Sequence, residues 1–263
     1  NLIVSVSDLS GYQEWATDHP EAAAAWQSAE AGALSADLIG KVDATETKPN
    51  GATRQSSSAV LQTLHDAIPN VVGGSADLSC SDNTWMKAGG QVGPGDFSGR
   101  NIKYGVREFA MAAMASGLAL HGLHRPYCGT FMMFSDYMRN AIRLAALMKL
   151  PVLYQFTHDS VFLGEDGPTH QPVEHLASLR AMPGLTVLRP ADATEVKGSW
   201  LAGLTGTGPA AIVLSRQGLP DLPNSDSGSV AKGGYVIQSE ARTDALDLTI
   251  LATGSEVSLA CNV

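Results

Sequence analysis

Two hydrophobic rhythms alternate along this chain. Short, largely apolar runs at 68–72, 151–156 (PVLYQF), 185–188 (LTVL) and 210–214 (AAIVL) match strands buried on both faces. Longer stretches between them repeat apolar residues at helical spacing. They predict helices from Thr53 or Gln55 to Ala67, with Val60, Leu61 and Leu64 as the apolar face, and over 107–122, 173–180 and 193–204. The alanine-rich stretch 12–38 predicts a helix broken near Pro20, with Asp18 as a candidate cap. The polar stretch 41–50 reads as a linker, 73–79 (GGSADLS) as a small-residue loop, 87–99 as a Gly-rich loop and 101–106 as a short extended piece. Residues 126–137 (PYCGTFMMFSDY) set Phe131, Phe134 and Tyr137 three apart. On a helix, which would continue to Met148, that spacing lines the rings along one side.

Strands alternating with helices in this way predict an α/β fold with a parallel sheet and helices on both faces. A Pro/Asp/Ser-rich linker covers 221–229. After it, GGYVIQSE (233–240) and LDLTILATGSEVSLA (246–260) read as opening strands and first helix of an incomplete second α/β domain. The boundaries are therefore a helical flank and linker at 1–50, a main domain at 51–222 and the start of another at 223–263.

Chemistry concentrates where strands end, which is where open α/β sheets bind ligands. The densest run is THDSVFLGEDGPTHQP, 157–172, leaving the apolar run 151–156. It holds His158 and His170 with Asp159, Glu165 and Asp166, punctuated by Gly164, Gly167 and Pro168. Histidines beside carboxylates suit proton handling near neutral pH. Elsewhere the residues alone favour plainer roles. Glu108 complements the dipole of the helix it begins, His121 and His124 do so at its far end without a third metal ligand in view, and Arg216 is a strand-exit arginine.

The formal net charge of -9 and the lack of a basic stripe argue against nucleic-acid and membrane-surface roles. Three widely spaced cysteines, Cys80, Cys128 and Cys261, point to a reducing, cytoplasmic setting. No run has the length and apolarity of a membrane span, and no signal-peptide layout opens the chain.

Six motifs in order, GGSADL (73–78), GVREFAMAAMASGLALHG (105–122), PYCGTFMMFSDY (126–137), THDSVFLGEDGPTHQPVEHLASLR (157–180), RPAD (189–192) and LSRQ (214–217), resemble transketolase. GEDGPTHQP is the most specific. The resemblance implies the family's thiamine diphosphate-binding fold, with 51–222 as its pyrimidine-binding domain and 223–263 as the start of its C-terminal domain. It also implies transfer of a two-carbon ketol unit from a ketose phosphate to an aldose phosphate, a step of the pentose phosphate pathway. By the same resemblance Glu108 shares a proton with N1′ of the cofactor's aminopyrimidine, Phe131, Phe134 and Tyr137 hold that ring by stacking, and Asp77 lies beside the cofactor. His170 stands near the donor carbonyl, and Asp166 partners a substrate hydroxyl. Arg54, Ser81, His158 and Arg216 grip the sugar phosphate, two guanidiniums and a histidine suiting a dianion.

Departures are Cys80 where the family commonly has Pro and Phe109 where some members have His. No GDG motif followed by Asn, the family's diphosphate and metal signature, occurs. The Mg²⁺ or Ca²⁺ site is therefore expected on a diphosphate-binding domain of another subunit, in a homodimer of the full-length form, and no metal ligands are assigned here. Competing readings are a related thiamine diphosphate enzyme, of dihydroxyacetone synthase or deoxyxylulose-phosphate synthase type, and a non-catalytic interaction subunit. Joint retention of Glu108, His158, Asp166 and His170 argues against the last.

Overall fold

The computed structural model describes residues 10–240 and 247–263. Its centre is one sheet of six parallel strands: β1 (Val71–Ser75), β2 (Asn101–Lys103), β3 (Arg125–Phe131), β4 (Leu153–Thr157), β5 (Thr186–Leu188) and β6 (Ala210–Val213). The spatial order is β2-β1-β3-β4-β6-β5. Helices are α1 (Ser10–Asp18), α2 (Pro20–Glu30), α3 (Leu38–Asp43), α4 (Thr53–Ala67), α5 (Ser79–Asp82), α6 (Glu108–His121), α7 (Ser135–Leu147), α8 (His175–Arg180), α9 (Ala193–Thr205) and α10 (Glu256–Ala260). A parallel sheet needs cover on both faces, and two apolar cores supply it. One joins the sheet to α6, α7 and α8 through Met111, Ala115, Met138, Ile142 and Leu179. The other joins it to α3, α4 and α9 through Leu38, Val42, Val60, Leu61, Leu64 and Trp200. The expected parallel α/β architecture is what forms.

Several expectations change. Strand β1 runs through Gly73 and Gly74 to Ser75, beyond the predicted end at Val72. The two glycines belong inside it because the neighbouring strands leave no room for a Cβ: one on Gly73 would meet the Tyr127 carbonyl oxygen, and one on Gly74 that of Ile102, each at 2.0 Å. Residues 125–131 are strand, not helix, since they pair with β1 on one side and β4 on the other and so satisfy the backbone in both directions. The stretch 12–38 is likewise not one broken helix. It splits at Pro20 as expected, but α2 stops at Glu30, and α3 enters the supposed linker because Leu38 and Val42 bury against α4 and α9.

At the other end, 233–240 and 247–251 form no strand, and Leu246 lies outside the described residues. A strand requires a neighbour to complete its hydrogen bonds; Leu248 and Leu251 instead face solvent, the latter 92% exposed. The expected helix does form as α10.

Gly129 in β3 gives a stability test. A Cβ there would lie 2.4 Å from Thr84 Cγ2 and 3.2 Å from the buried Asp82 carboxylate. Gly129→Ala is expected to cost about 1–3 kcal/mol in urea unfolding; an unchanged midpoint would show that this space is not occupied as described.

Candidate active site

Every strand of a parallel sheet points its carboxyl end the same way, so residues far apart in sequence collect along one rim. β1 delivers Asp77, β3 delivers Phe131, β4 delivers His158, and β6 delivers Ser215 and Arg216. The short β2 leads directly to α6, whose first residue is Glu108. Helix α4 starts at the same rim, and two buried hydrogen bonds clamp it to the exit of β6. Thr53 N donates to Ser215 Oγ at 3.1 Å, and Ser215 N donates to Thr53 Oγ1 at 2.7 Å. That clamp brings Arg54 to the side of the sheet that bears Arg216.

The result is a cationic cluster. Arg54 donates to the Ser81 carbonyl, and its Nη1 lies 3.5 Å from His158 Nε2, the outer limit of a hydrogen bond. Ser81 thus contributes its backbone to this contact. Arg216, exposed, lies against Gly164, whose added Cβ would stand 3.7 Å from the guanidinium carbon. Gly164 has φ +109° and turns the chain back toward the rim. Burial and the charge of Arg216 both lower the Arg54 pKa, while Asp82 opposes them. Arg54 Nε is buried with no hydrogen-bond partner among the described residues. Two mutually repelling guanidiniums and an unused donor describe a place for an anion.

His158 is 3% exposed and has φ +60°, a left-handed conformation unusual for a side chain of this size. Its ring stacks on Phe131 with centroids 3.7 Å apart, and its Nδ1 lies 2.8 Å from Thr157 Oγ1. Burial first, then Arg54, Arg216 and His170, push its pKa down to about 3. The histidine expected to add positive charge is therefore neutral at physiological pH in the free chain, acting by hydrogen bonding. In NMR titration its imidazole is expected to stay neutral from pH 8 to about pH 5. Arg54→Gln should raise its pKa by removing one of the neighbouring positive charges; protonation near the ordinary value of about 6.5 in the parent would contradict this environment.

Beside the cluster runs an aromatic ladder. Phe131 and Phe134 stack at 6.0 Å with planes 8° apart, and Phe134 and Tyr137 at 6.1 Å and 23°. The expected three-ring surface forms, but from the end of a strand, a single 3₁₀ turn at Met132–Phe134 and the first turn of α7. His170 sets its edge toward Phe134 at 5.2 Å and toward Phe131 at 6.3 Å. Thr169 Oγ1 lies 2.8 Å from its Nδ1. Tyr137, 65% exposed, leaves the outer end of the ladder open to a flat ring. Glu108 is buried, and its carboxylate has no hydrogen-bond partner among the described residues. Asp77, with φ +65°, and Asp166, in the turn between Gly164 and Gly167, are exposed on the same rim.

Two acids behave differently from what the sequence indicates. Asp159 belongs to the dense polar run, yet it turns away from His158 and pairs with Arg189. Asp82 carries no sequence signal and proves fully buried under the cluster. Ser75 Oγ, Thr84 N and Thr84 Oγ1 donate to its carboxylate, and Gln155 Nε2 donates to its backbone carbonyl at 2.6 Å. Burial raises its pKa, opposed by those hydrogen bonds and by Arg54. Asp136, Glu174 and His175 bring possible ligand atoms within 4.8 Å of one another. His175 Nε2 and Asp136 Oδ2, 3.1 Å apart, tie α8 to α7 there.

A domain of this class is an open, all-parallel α/β unit offering an anion pocket and an aromatic surface along its carboxyl rim. The family model for "Transketolase, pyrimidine binding domain" matches residues 50–221. Transketolase of Geobacillus stearothermophilus is 50% identical over 256 residues, covering 96% of this chain and 38% of the relative. The solved transketolase from Leishmania mexicana superposes with a TM-score of 0.89 at 39% identity, over 95% of this chain and 37% of that one. That of Pichia stipitis, solved with sedoheptulose 7-phosphate, gives 0.88 at 39%, over 95% and 38%. The chain belongs to the transketolase family, a thiamine-dependent one, and spans less than two-fifths of the length of these relatives.

Proposed function

We propose that this chain is the pyrimidine-binding part of a transketolase, with 51–222 as that domain and 223–263 as the start of the next. Its reaction is transfer of a two-carbon ketol unit between sugar phosphates in the cytoplasmic pentose phosphate pathway. The observation carrying the reading is the anion pocket of Arg54, Arg216 and neutral His158 lying directly against the stacked rings. One feature grips a phosphate; the other seats a flat heterocycle.

The residues fit thiamine diphosphate. Phe131, Phe134 and Tyr137 would hold its pyrimidine, and the buried Glu108, without a hydrogen-bond partner among the described residues, would hold a proton at N1′. When bound, the cofactor supplies the electron sink for C–C cleavage. Asp77 lies beside it. Arg54 and Arg216 orient the sugar phosphate, with the Ser81 carbonyl fixing Arg54. Neutral His158 gives or accepts a hydrogen bond, and Asp166 takes a sugar hydroxyl. His170, held edge-on by the two phenylalanines, moves a proton at the donor carbonyl.

A partner supplying the diphosphate and divalent-metal site completes this assembly, and an apolar face is present for one. Val106, Phe109, Met114 and Leu120 on and before α6, with Leu144 and Leu147 on α7, are exposed. Exposed apolar side chains gathered on two packed helices mark interaction surfaces; a homodimer of the full-length protein would cover them. Turnover of xylulose 5-phosphate with ribose 5-phosphate, with thiamine diphosphate and Mg²⁺, tests the reading. Activity is expected only when a diphosphate-binding polypeptide is added. Silence with a competent partner would overturn the enzymatic role, and activity of the chain alone would overturn the need for the partner.

A further inference from the structure

Behind His158, on the side away from the phosphate pocket, a single guanidinium joins three segments of the chain. Arg189, just after β5, is 8% exposed as a side chain. Its Nε and Nη2 both lie 2.8 Å from Asp159 Oδ2. Its Nη1 donates to the Thr253 carbonyl at 3.0 Å, its Nη2 to Ser255 Oγ at 3.0 Å, and both reach the Glu256 carboxylate. Arg180 adds a second strut to Thr253 Oγ1 at 3.3 Å. Gly254 makes the seat possible. It has φ +59°, and a Cβ there would come within 2.7 Å of the Arg189 Cγ and Nε.

Asp159 shares a peptide unit with His158. Its side chain is 2% exposed, and its second oxygen, Oδ1, is buried without a partner among the described residues, so Arg189 is the group that makes this burial tolerable. A residue held at positive φ, as His158 is, persists where its surroundings over-determine it. Thr157 and Phe131 constrain the imidazole from one side. Asp159, fixed by Arg189, constrains the backbone from the other.

We propose that Arg189 is a positioning residue through which seating of the 253–256 turn sets the placement of His158. The C-terminal segment thereby adjusts the phosphate grip at a distance, without touching it. The functional meaning rests on His158 belonging to that grip; the mechanical coupling does not.

The test uses this chain with Gly254→Ala, which unseats the turn while leaving Arg189 and Asp159 intact, and Arg189→Met, which removes the junction. Amide hydrogen exchange at 255–261 is expected to rise about tenfold or more in both. The His158 imidazole, facing Arg54, Arg216 and His170, should then titrate closer to its ordinary value of about 6.5 as water reaches it. Affinity for inorganic phosphate should fall in parallel. Faster exchange with an unmoved His158 titration would reduce Arg189 to an anchor of the C-terminal segment, and unchanged exchange in Gly254→Ala would remove the seat itself. Should Arg189→Met fail to fold, Gly254→Ala alone decides. A moved titration with unaltered phosphate binding would reject His158 as part of the grip while leaving the coupling in place.

Discussion

Glu108→Gln is expected to lower turnover of the assembled enzyme by a factor of about 10²–10⁴, the range for losing a positioned acid–base group. Glu108 is the first residue of α6, buried at the rim, and its carboxylate bonds to no other side chain among the described residues. Glutamine preserves its shape and its ability to hydrogen-bond, so what disappears is the exchange of a proton with the pyrimidine ring. Because no internal partner is lost, the melting temperature of the isolated chain should change little. Steady-state kinetics of the assembly, beside thermal unfolding of the chain, separate the two effects. A variant turning over within about twofold of the parent would remove Glu108 from the proton path.

Arg216→Ala should then distinguish substrates. Hydrogen bonds to charged groups contribute about 1.5–3 kcal/mol, equivalent to roughly 10- to 150-fold in kcat/KM. That loss is expected for phosphorylated ketoses and should be largely absent for an unphosphorylated analogue such as hydroxypyruvate. Arg216 is exposed and makes no hydrogen bond or ion pair among the described residues, so its loss should disturb the fold little. Arg54→Ala would be less clean, because Arg54 also bonds the Ser81 carbonyl. Equal losses for both substrates would refute the phosphate assignment. Removing either arginine also relieves His158 of a neighbouring positive charge, so its pKa should rise in both variants.

The rim was legible in the sequence to the extent that local pattern fixes which residues end a strand. The apolar run before His158 and the run before Ser215 announce buried strands, and both form. Helix α4 shows its Val60, Leu61 and Leu64 face directly, and all three are fully buried. Prediction went astray where local preference is weak and a neighbouring strand decides. PYCGTF carries no strong helical or strand rhythm, and its state follows from having β1 and β4 on either side. GGS reads as a loop until the close approach of Tyr127 and Ile102 is seen.

By itself the sequence determined the alternation of strands and helices, the chemistry carried at strand exits and, through GEDGPTHQP and its companions, the family. Only the tertiary structure decided that Asp82 lies buried beneath the arginines, that Asp159 faces Arg189 rather than the pocket, and that His158 is neutral. The physical reason is that burial and through-space charge depend on groups brought together from distant segments. A residue's own neighbours in sequence do not record what will exclude water from it.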